Sequence, residues 1–220
     1  MSARPLPAHR TSIAEFRRLV ERSEKKYEFF DGEVFEWEMM AGTSDEHSVV
    51  CNNVQVGLTN AFRKHGTKCV TLPSDAYLAI PNKRYYRFPD VTVQCAPPIY
   101  DEHFRLARTN PAILIEVTSE RSRRPDHTSK FELYSTIPSL REYAIFEQDS
   151  PLCTVHARED ASAPWTTVAH FRLESRVHFP SVDVRVALGE FYRDIQWTEA
   201  GAKFVPGAGV PTWEEDDPGV

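Results

Sequence analysis

The sequence predicts an α/β fold: a central mixed β-sheet flanked by helices, with an N-terminal helix and a β-hairpin in front of it. One observation is the run "AILIEVTS" at 112–119, which shows almost no alternation of polar and apolar residues and is typical of a strand covered on both faces. Another is the apolar stripe at helical spacing within 43–66. The third is the Asp31-Gly32 pair between two aromatic runs, which indicates a hairpin.

The N-terminal elements follow from spacing and turn residues. In "TSIAEFRRLVERS" the apolar residues recur at helical spacing, with Thr11 or Ser12 available as the N-cap. The hairpin that follows is predicted to have strands at about 26–30 and 33–38. The long helix "TSDEHSVVCNNVQVGLTNAFRKHG" has a capping-box spacing between Thr43 and Glu46, and Gly66 is expected to end it.

The middle and C-terminal parts alternate extended and helical patterns. Three extended runs, "KCVTLPSDAYLAI", "YRFPDVTVQCA" and "AILIEVTS", precede a short helix in "PDHTSKFELYSTIP" that is expected to begin after Pro125. Further strands are predicted in "REYAIFEQ", "LCTVHARE", "WTTVAHFR" and "VHFP", with a last helix around 186–193. We expect a flexible N-terminus at 1–10, one domain at 11–198, and an extended or disordered Pro/Gly/acidic tail at 199–220.

Composition excludes some functions and favours one compartment. The 26 Lys and Arg residues are outnumbered by 32 Asp and Glu, giving a net charge of -6, so any phosphate binding must be local. No apolar stretch is long enough for a membrane span, and the start "MSARPLPAHR" lacks the apolar core of a secretory signal, so we expect a soluble intracellular protein. The four widely spaced cysteines predict reduced thiols in a cytoplasmic protein: Cys51, Cys69, Cys95 and Cys153.

Two acids occupy places where a sheet interior is expected. Asp90 begins "DVTVQ", and Glu116 lies inside the apolar run of the next strand. A buried carboxylate costs several kcal/mol unless cations or donors compensate it, and a divalent ion between two such acids would do so. We therefore predict a Mg²⁺ or Mn²⁺ site. Asp90 could instead accept backbone amides after Pro89, and Glu116 could instead pair with an arginine.

The helix after Glu116 adds a cation. Asp126, Lys130 and Tyr134 are spaced by four and so share a helix face. Around a metal, Lys130 could orient or deprotonate a nucleophile or stabilise a phosphorane. Lys130 could equally be an exposed helix lysine, Asp126 an N-cap and Tyr134 a core residue.

Seven motifs follow one another in order from about residue 15 to 193: "YEFFDGEVFE", "TSDEHSVVCNNV", "RFPDVTV", "PAILIEVTS", "DHTSKFELY", "IPSLREYAIFEQD" and "FPSVDVRVALGEFY". Together they resemble the Uma-two family of restriction-endonuclease-like proteins, within the PD-(D/E)XK nuclease superfamily, and this resemblance covers nearly the whole chain. It implies a restriction-endonuclease-like core and a catalytic site of Asp90, Glu116 and Lys130, with the Val117 carbonyl joining the metal shell. The superfamily's lysine normally lies two residues after the acid, where this chain has Thr118. Lys130 stands on the following helix instead, and the resemblance implies that this relocation of the lysine occurs throughout the family.

The resemblance also suggests accessory residues and a substrate. His47 could lie near the site or be a core histidine, and Glu28 could be an extra ligand. The predicted nucleic-acid contacts come from two basic clusters that flank the acids: Arg84 and Arg87 in one, and Arg121, Arg123 and Arg124 in the other. Such clusters can also be ordinary solvated loops. The leading hypothesis is a Mg²⁺-dependent endonuclease acting on DNA rather than RNA, as a homodimer. The alternative is an inactive nucleic-acid-binding or assembly protein.

Overall fold

The structure, a computed structural model, describes residues 4–5, 10–37, 44–80, 84–118, 122–198 and 201–212. The helices are α1 (Ile13–Glu21), α2 (Asp45–His65), α3 (Arg123–Pro125), α4 (Phe131–Tyr134) and α5 (Leu188–Phe191), and a π-helical turn, Asp126–Lys130, joins α3 to α4. The strands are β1 (Arg4–Pro5), β2 (Lys26–Phe30), β3 (Glu33–Trp37), β4 (Val70–Pro73), β5 (Leu78–Ile80), β6 (Tyr85–Arg87), β7 (Val91–Gln94), β8 (Ile113–Thr118), β9 (Glu142–Glu147), β10 (Cys153–Ala157), β11 (Thr166–His170), β12 (Arg176–Phe179), β13 (Val184–Ala187), β14 (Ile195–Thr198) and β15 (Gly201–Phe204).

The predicted α/β class with a central mixed sheet is confirmed. Six strands form that sheet in the order β11-β10-β9-β8-β7-β4. Strand β8 lies near its middle, antiparallel to β7 and parallel to β9. All six residues of β8 are buried, because α2 and its neighbours cover one face and the region around α4 covers the other. The prediction that this apolar run is a strand covered on both faces is therefore confirmed.

The helix ends follow local capping chemistry. Ser12 caps α1 in a complete capping box with Glu15. Helix α2 ends at Gly66 in the left-handed conformation, as predicted, but its N-cap is Ser44, whose hydroxyl accepts the His47 amide at 3.2 Å. The predicted cap, Thr43, lies outside the described residues. In the described part of the chain, no helix combines the length and apolar character needed to cross a bilayer.

A second sheet of five strands, ordered β1-β3-β2-β6-β5, carries the N-terminal hairpin. The hairpin turn is at Asp31 and Gly32, which both have positive φ, of 41° and 98°, as a type I′ turn requires. Two of the three extended runs are each divided between the sheets. Strands β4 and β7 belong to the six-stranded sheet, and β5 and β6 belong to the other. Pro73 and Pro89 lie near the points where the runs divide, because a proline cannot donate a hydrogen bond to a neighbouring strand.

The region predicted as a tail contains regular structure up to Phe204, followed by turns and loop up to residue 212. Strands β14 and β15 form an antiparallel hairpin, and Phe204 packs against the main core. The Phe204 amide donates to the Glu46 carboxylate of α2 at 3.1 Å. The expectation of an extended or disordered segment from 199 is therefore wrong for 201–212, because apolar residues among the glycines and prolines reach the core. Residues 213–220 lie outside the described part.

The prediction of four reduced cysteines is wrong for one pair. Cys69 and Cys95 form a disulfide, with their Cα atoms 4.1 Å apart. They flank strands β4 and β7, whose register pairs Val70 with Gln94, so pairing of two distant segments brings the thiols together. Cys51 and Cys153 remain free. The cysteine content therefore no longer argues for a reducing compartment.

Reduction of this disulfide is expected to lower the free energy of unfolding by about 3 kcal/mol, because the bond closes a loop between positions 26 apart in the chain. Urea unfolding with and without dithiothreitol measures the effect. The double variant Cys69→Ala/Cys95→Ala should be insensitive to the reductant. An unchanged midpoint for the wild-type protein under reduction would contradict the prediction.

Candidate active site

Asp90 and Glu116 lie together at one end of the six-stranded sheet. The register pairs Val91 with Ile115, and one further step along both strands sets Asp90 opposite Glu116. Asp90 occupies a bend just before β7, where its Oδ2 accepts the Val117 amide at 2.8 Å. The two predicted acids are therefore neighbours at the point where β7 begins and β8 nears its end.

Lys130 connects Glu116 with a third carboxylate. Its Nζ lies 3.0 Å from Glu116 Oε2 and 2.6 Å from Asp126 Oδ1. Both Asp126 and Lys130 belong to the π-helical turn, and such turns inside α-helices frequently occur at functional sites. Lys130 is only 15% exposed, so it is not an ordinary surface lysine.

Glu116 has a second partner, and beside it lies a further ion pair. The Tyr134 hydroxyl donates to Glu116 Oε1 at 2.9 Å. On β2, the Glu28 carboxylate lies 3.6 Å from Arg87 Nε and accepts the Phe88 amide at 3.3 Å. Arg87 also contributes a positive charge near Glu116. Glu28 thus holds the arginine that faces the site.

Helix α2 supplies a histidine and a cysteine on the other side of Asp90. His47 Nε2 lies 3.4 Å from Asp90 Oδ1. A ring nitrogen of His47, the Sγ of Cys51 and a carboxylate oxygen of Asp90 all lie within 4.8 Å of one another. The two helix residues are four positions apart and so share one face of α2. Cys51 was predicted only as a reduced thiol and not as a site residue.

The environment divides the two central acids into opposite charge states. Burial by itself would raise the pKa of Asp90, but the hydrogen bond and charge of His47, with Lys130 and the Val117 amide, hold that pKa below its usual value. Burial raises the pKa of Glu116 to about 8, with Asp90 and Asp126 adding to the effect against Lys130. The metal-free site therefore holds an ionised Asp90 beside a Glu116 that retains its proton near neutral pH.

The carboxyl groups of the site outnumber its permanent cations, so the site can accept a further positive ion. Two permanent cations, Arg87 and Lys130, lie among four carboxyl groups, and the proton that Glu116 retains in the metal-free site is one that a bound divalent ion would displace. The four carboxyl groups are those of Glu28, Asp90, Glu116 and Asp126. Among the described residues, Asp126 Oδ2 also has no hydrogen-bond donor although it is buried. An excess of buried negative charge is unfavourable unless a cation offsets it, and carboxylate oxygens are what Mg²⁺ and Mn²⁺ prefer. The residues present therefore fit a divalent ion.

The metal-free protein is expected to lose stability as pH rises from about 4.5 to about 8. Its folded state keeps Glu116 protonated up to about 8, whereas an ordinary glutamate in the unfolded chain releases its proton near 4.5, so rising pH favours unfolding across that range. Urea unfolding in chelator at a series of pH values measures this slope. Glu116→Gln should reduce the slope, and equal slopes in the two proteins would contradict the prediction.

Several predicted placements need correction. Asp126 is not an N-cap, because the helix begins earlier, with Ser122 as its N-cap residue, and Pro125 stands inside the first turn, where its missing amide costs little. Val117 contacts Asp90 through its amide, and its carbonyl as a metal ligand stays a prediction.

The four predicted nucleic-acid contacts that the structure describes divide into three groups. Arg84 and Arg124 are exposed. Arg123 is 44% exposed and pairs with Glu147 and Asp149. Arg87 is 15% exposed and faces the site, because β6 turns it inward. Arg121 lies outside the described residues.

Comparisons with known proteins agree with this fold. The Uma2 family, described as "Putative restriction endonuclease", matches residues 13–187. "Uncharacterized protein slr1290" of Synechocystis sp. is 29% identical over 191 residues, covering 86% of this chain and 95% of its own length. "Uncharacterized protein sll1609" of the same organism is 31% identical over 137 residues, covering 62% of this chain and 75% of its own.

A solved structure shares the architecture. The crystal structure of "a putative nuclease belonging to DUF820" from Anabaena variabilis superposes with a TM-score of 0.62 at 13% sequence identity. The match covers 82% of this chain and 96% of that one. The family match over 13–187 and this shared architecture confirm the resemblance that was inferred from the sequence motifs. The chain belongs to the Uma2 family of restriction-endonuclease-like proteins.

Proposed function

We propose that the protein is a divalent-metal-dependent endonuclease that hydrolyses phosphodiester bonds in DNA. One observation carries the proposal. Lys130 contacts the buried side chains of both Glu116 and Asp126, and Asp90 lies beside Glu116 where β7 begins. The family description, which names a restriction endonuclease, supports the same reaction class. Mg²⁺ is the cofactor that we propose, with Mn²⁺ as a substitute.

Asp90 and Glu116 would hold the ion, and the Val117 carbonyl would complete the protein's share of its ligands. A bound divalent ion supplies Lewis-acid stabilisation of the phosphoryl oxygens and activation of water. The chain's own contribution is rigidity. The Val117 amide fixes Asp90, and Tyr134 and Lys130 each fix one oxygen of Glu116, which orients both carboxylates before an ion or substrate arrives.

Lys130 would act as an ammonium rather than as a base. Burial by itself would lower the pKa of Lys130, but the carboxylates of Glu116 and Asp126 raise that pKa above its usual value. A lysine held in its charged form cannot remove a proton from water near neutral pH. We propose that it places positive charge where a pentacoordinate phosphorane would accumulate negative charge.

The substrate and assembly follow from local charge and from chemistry. Arg84 and Arg124 are exposed in segments that adjoin the site in sequence. Because the protein's net charge is -6, contacts with nucleic-acid phosphates would depend on such local basic residues. We propose DNA rather than RNA as the substrate, and a cytoplasmic homodimer in which two sites cut the two strands. Light scattering of the purified protein tests the dimer.

Incubation of purified protein with supercoiled plasmid DNA tests the function. We expect conversion to nicked and linear forms in Mg²⁺ or Mn²⁺ and no conversion in chelator. A structured RNA assayed in parallel tests the choice of DNA. Binding of DNA without cleavage in either metal would overturn the proposal and favour the alternative, a non-catalytic nucleic-acid-binding protein that keeps the fold.

A further inference from the structure

We propose that His47, Cys51 and Asp90 form a second metal position, selective for a thiophilic ion such as Zn²⁺ or Co²⁺. It combines Asp90 with two residues of α2, whereas the proposed Mg²⁺ position combines Asp90 with Glu116. This inference shares Asp90 with the proposed function but uses none of its other residues. The two can therefore fail separately.

The geometry suits three ligands from two elements. His47 and Cys51 are one helical turn apart on α2, and Asp90 is presented by the bend before β7. Their ligand atoms all lie within 4.8 Å of one another. In a tetrahedral site with bonds of about 2.0–2.3 Å, ligand atoms lie about 3.3–3.8 Å apart. Small side-chain adjustments on a rigid helix would close the remaining difference.

Asp90 has an oxygen available for this position. Its Oδ2 accepts the Val117 amide at 2.8 Å, while its Oδ1 faces His47 Nε2 at 3.4 Å. Cys51 is in no disulfide. Two nearby cations, Lys130 and Arg87, are paired with other carboxylates, Glu116 and Glu28. The α2 side of Asp90 thus holds a nitrogen, a sulfur and an oxygen donor.

The donor types determine the class of ion. Thiolate and imidazole favour Zn²⁺, Co²⁺ and related ions, whereas Mg²⁺ binds oxygen almost alone. On binding, the Cys51 S–H bond breaks, a sulfur–metal bond forms, and the proton leaves to solvent. A protonated His47 would likewise release its Nε2 proton. Three protein ligands leave a fourth position open to water or a substrate oxygen, as in catalytic rather than structural zinc sites.

Cobalt spectroscopy of the full, metal-stripped chain tests the proposal without any assay of cleavage. With Co²⁺, the wild-type protein should show visible bands of a four-coordinate ion and a thiolate-to-cobalt charge-transfer band in the near ultraviolet. Cys51→Ala should remove the charge-transfer band and weaken Co²⁺ binding at least about tenfold. His47→Ala should weaken the visible bands.

Two variants serve as controls. Cys153→Ala removes the other free thiol, which lies buried in the core, and should leave the charge-transfer band in place. Glu116→Gln should also keep that band while losing the heat of Mn²⁺ binding. The buffer must contain no thiol reductant, so that the Cys69–Cys95 disulfide stays closed.

The outcomes separate the two metal positions. Heat of Mn²⁺ binding that depends on Glu116, without a charge-transfer band in Co²⁺, would overturn this inference and leave the proposed function standing. A charge-transfer band that survives Cys51→Ala would overturn it as well. A band that depends on Cys51, without heat of Mn²⁺ binding that depends on Glu116, would support it and count against the proposed Mg²⁺ site.

Discussion

Glu116→Gln is expected to reduce metal-dependent DNA cleavage at least about 10³-fold, because stabilisation by the ion contributes several kcal/mol to the barrier. Glutamine has nearly the same shape and can still accept the Tyr134 hydroxyl, but it lacks the negative charge that would hold the ion. Isothermal titration should show loss of the Mn²⁺ heat in the same variant. Plasmid cleavage measured over several hours gives the residual rate.

The matched control is Glu142→Gln. Glu142 is another buried carboxylate of the same sheet, and it bonds Ser181 far from the site. This variant should cleave DNA at the wild-type rate. Stability provides a second comparison: Glu116→Gln should not destabilise the metal-free protein at pH 8, since it removes a carboxyl group that burial already disfavours as a charge. Cleavage by Glu116→Gln at the rate of Glu142→Gln would contradict the account.

Lys130→Met is expected to lower the free energy of unfolding by about 3 kcal/mol and the cleavage rate at least about 100-fold. The stability loss follows because the buried Asp126 side chain would lose its cation, and Glu116 would lose the Lys130 Nζ contact at 3.0 Å, and an unpaired buried charge is costly. The loss of rate follows because the phosphorane would lose a neighbouring positive charge. Urea unfolding and plasmid cleavage measure the two effects.

Lys64→Met is the control for this variant. Lys64 lies in the last turn of α2 and is exposed, so its replacement should change stability by less than about 0.5 kcal/mol. An effect of Lys130→Met on stability no larger than that of Lys64→Met would mean that the ion pairs contribute nothing, and unchanged cleavage would remove Lys130 from the mechanism.

The central strand shows what sequence reasoning can predict. The run around Glu116 has few polar residues, so its burial and its place inside a mixed sheet follow from pattern alone. A carboxylate in such a strand calls for a partner, and spacing on the next helix indicates Lys130 and Tyr134. The structure brings all three together. The π-helical turn that positions Lys130 left no signal that periodicity could reveal.

Contacts between distant segments were harder to predict. Cys69 and Cys95 come together only because β4 pairs with β7, and pairing between strands depends on the whole sheet. Cys51 was predicted only as a reduced thiol. Its spacing of four from His47 was a usable signal, but the arrival of Asp90 beside them could not be seen in the sequence.

Arg87 illustrates a different limit. A basic cluster before Asp90 suggested an exposed phosphate-binding surface, but only tertiary structure decides which of its arginines turn inward. Arg87 turns toward Glu28 and Arg84 stays exposed. The C-terminal hairpin was missed for a related reason, since glycines and prolines dominated a segment whose few apolar residues reach the core.

Anomalous diffraction from crystals soaked in Mn²⁺ tests the central claim most directly. The account predicts a peak bound by carboxylate oxygens of both Asp90 and Glu116 at about 2.0–2.3 Å, with Lys130 still paired to Glu116. At saturating Mn²⁺, the absence of a peak between these two carboxylates would contradict it.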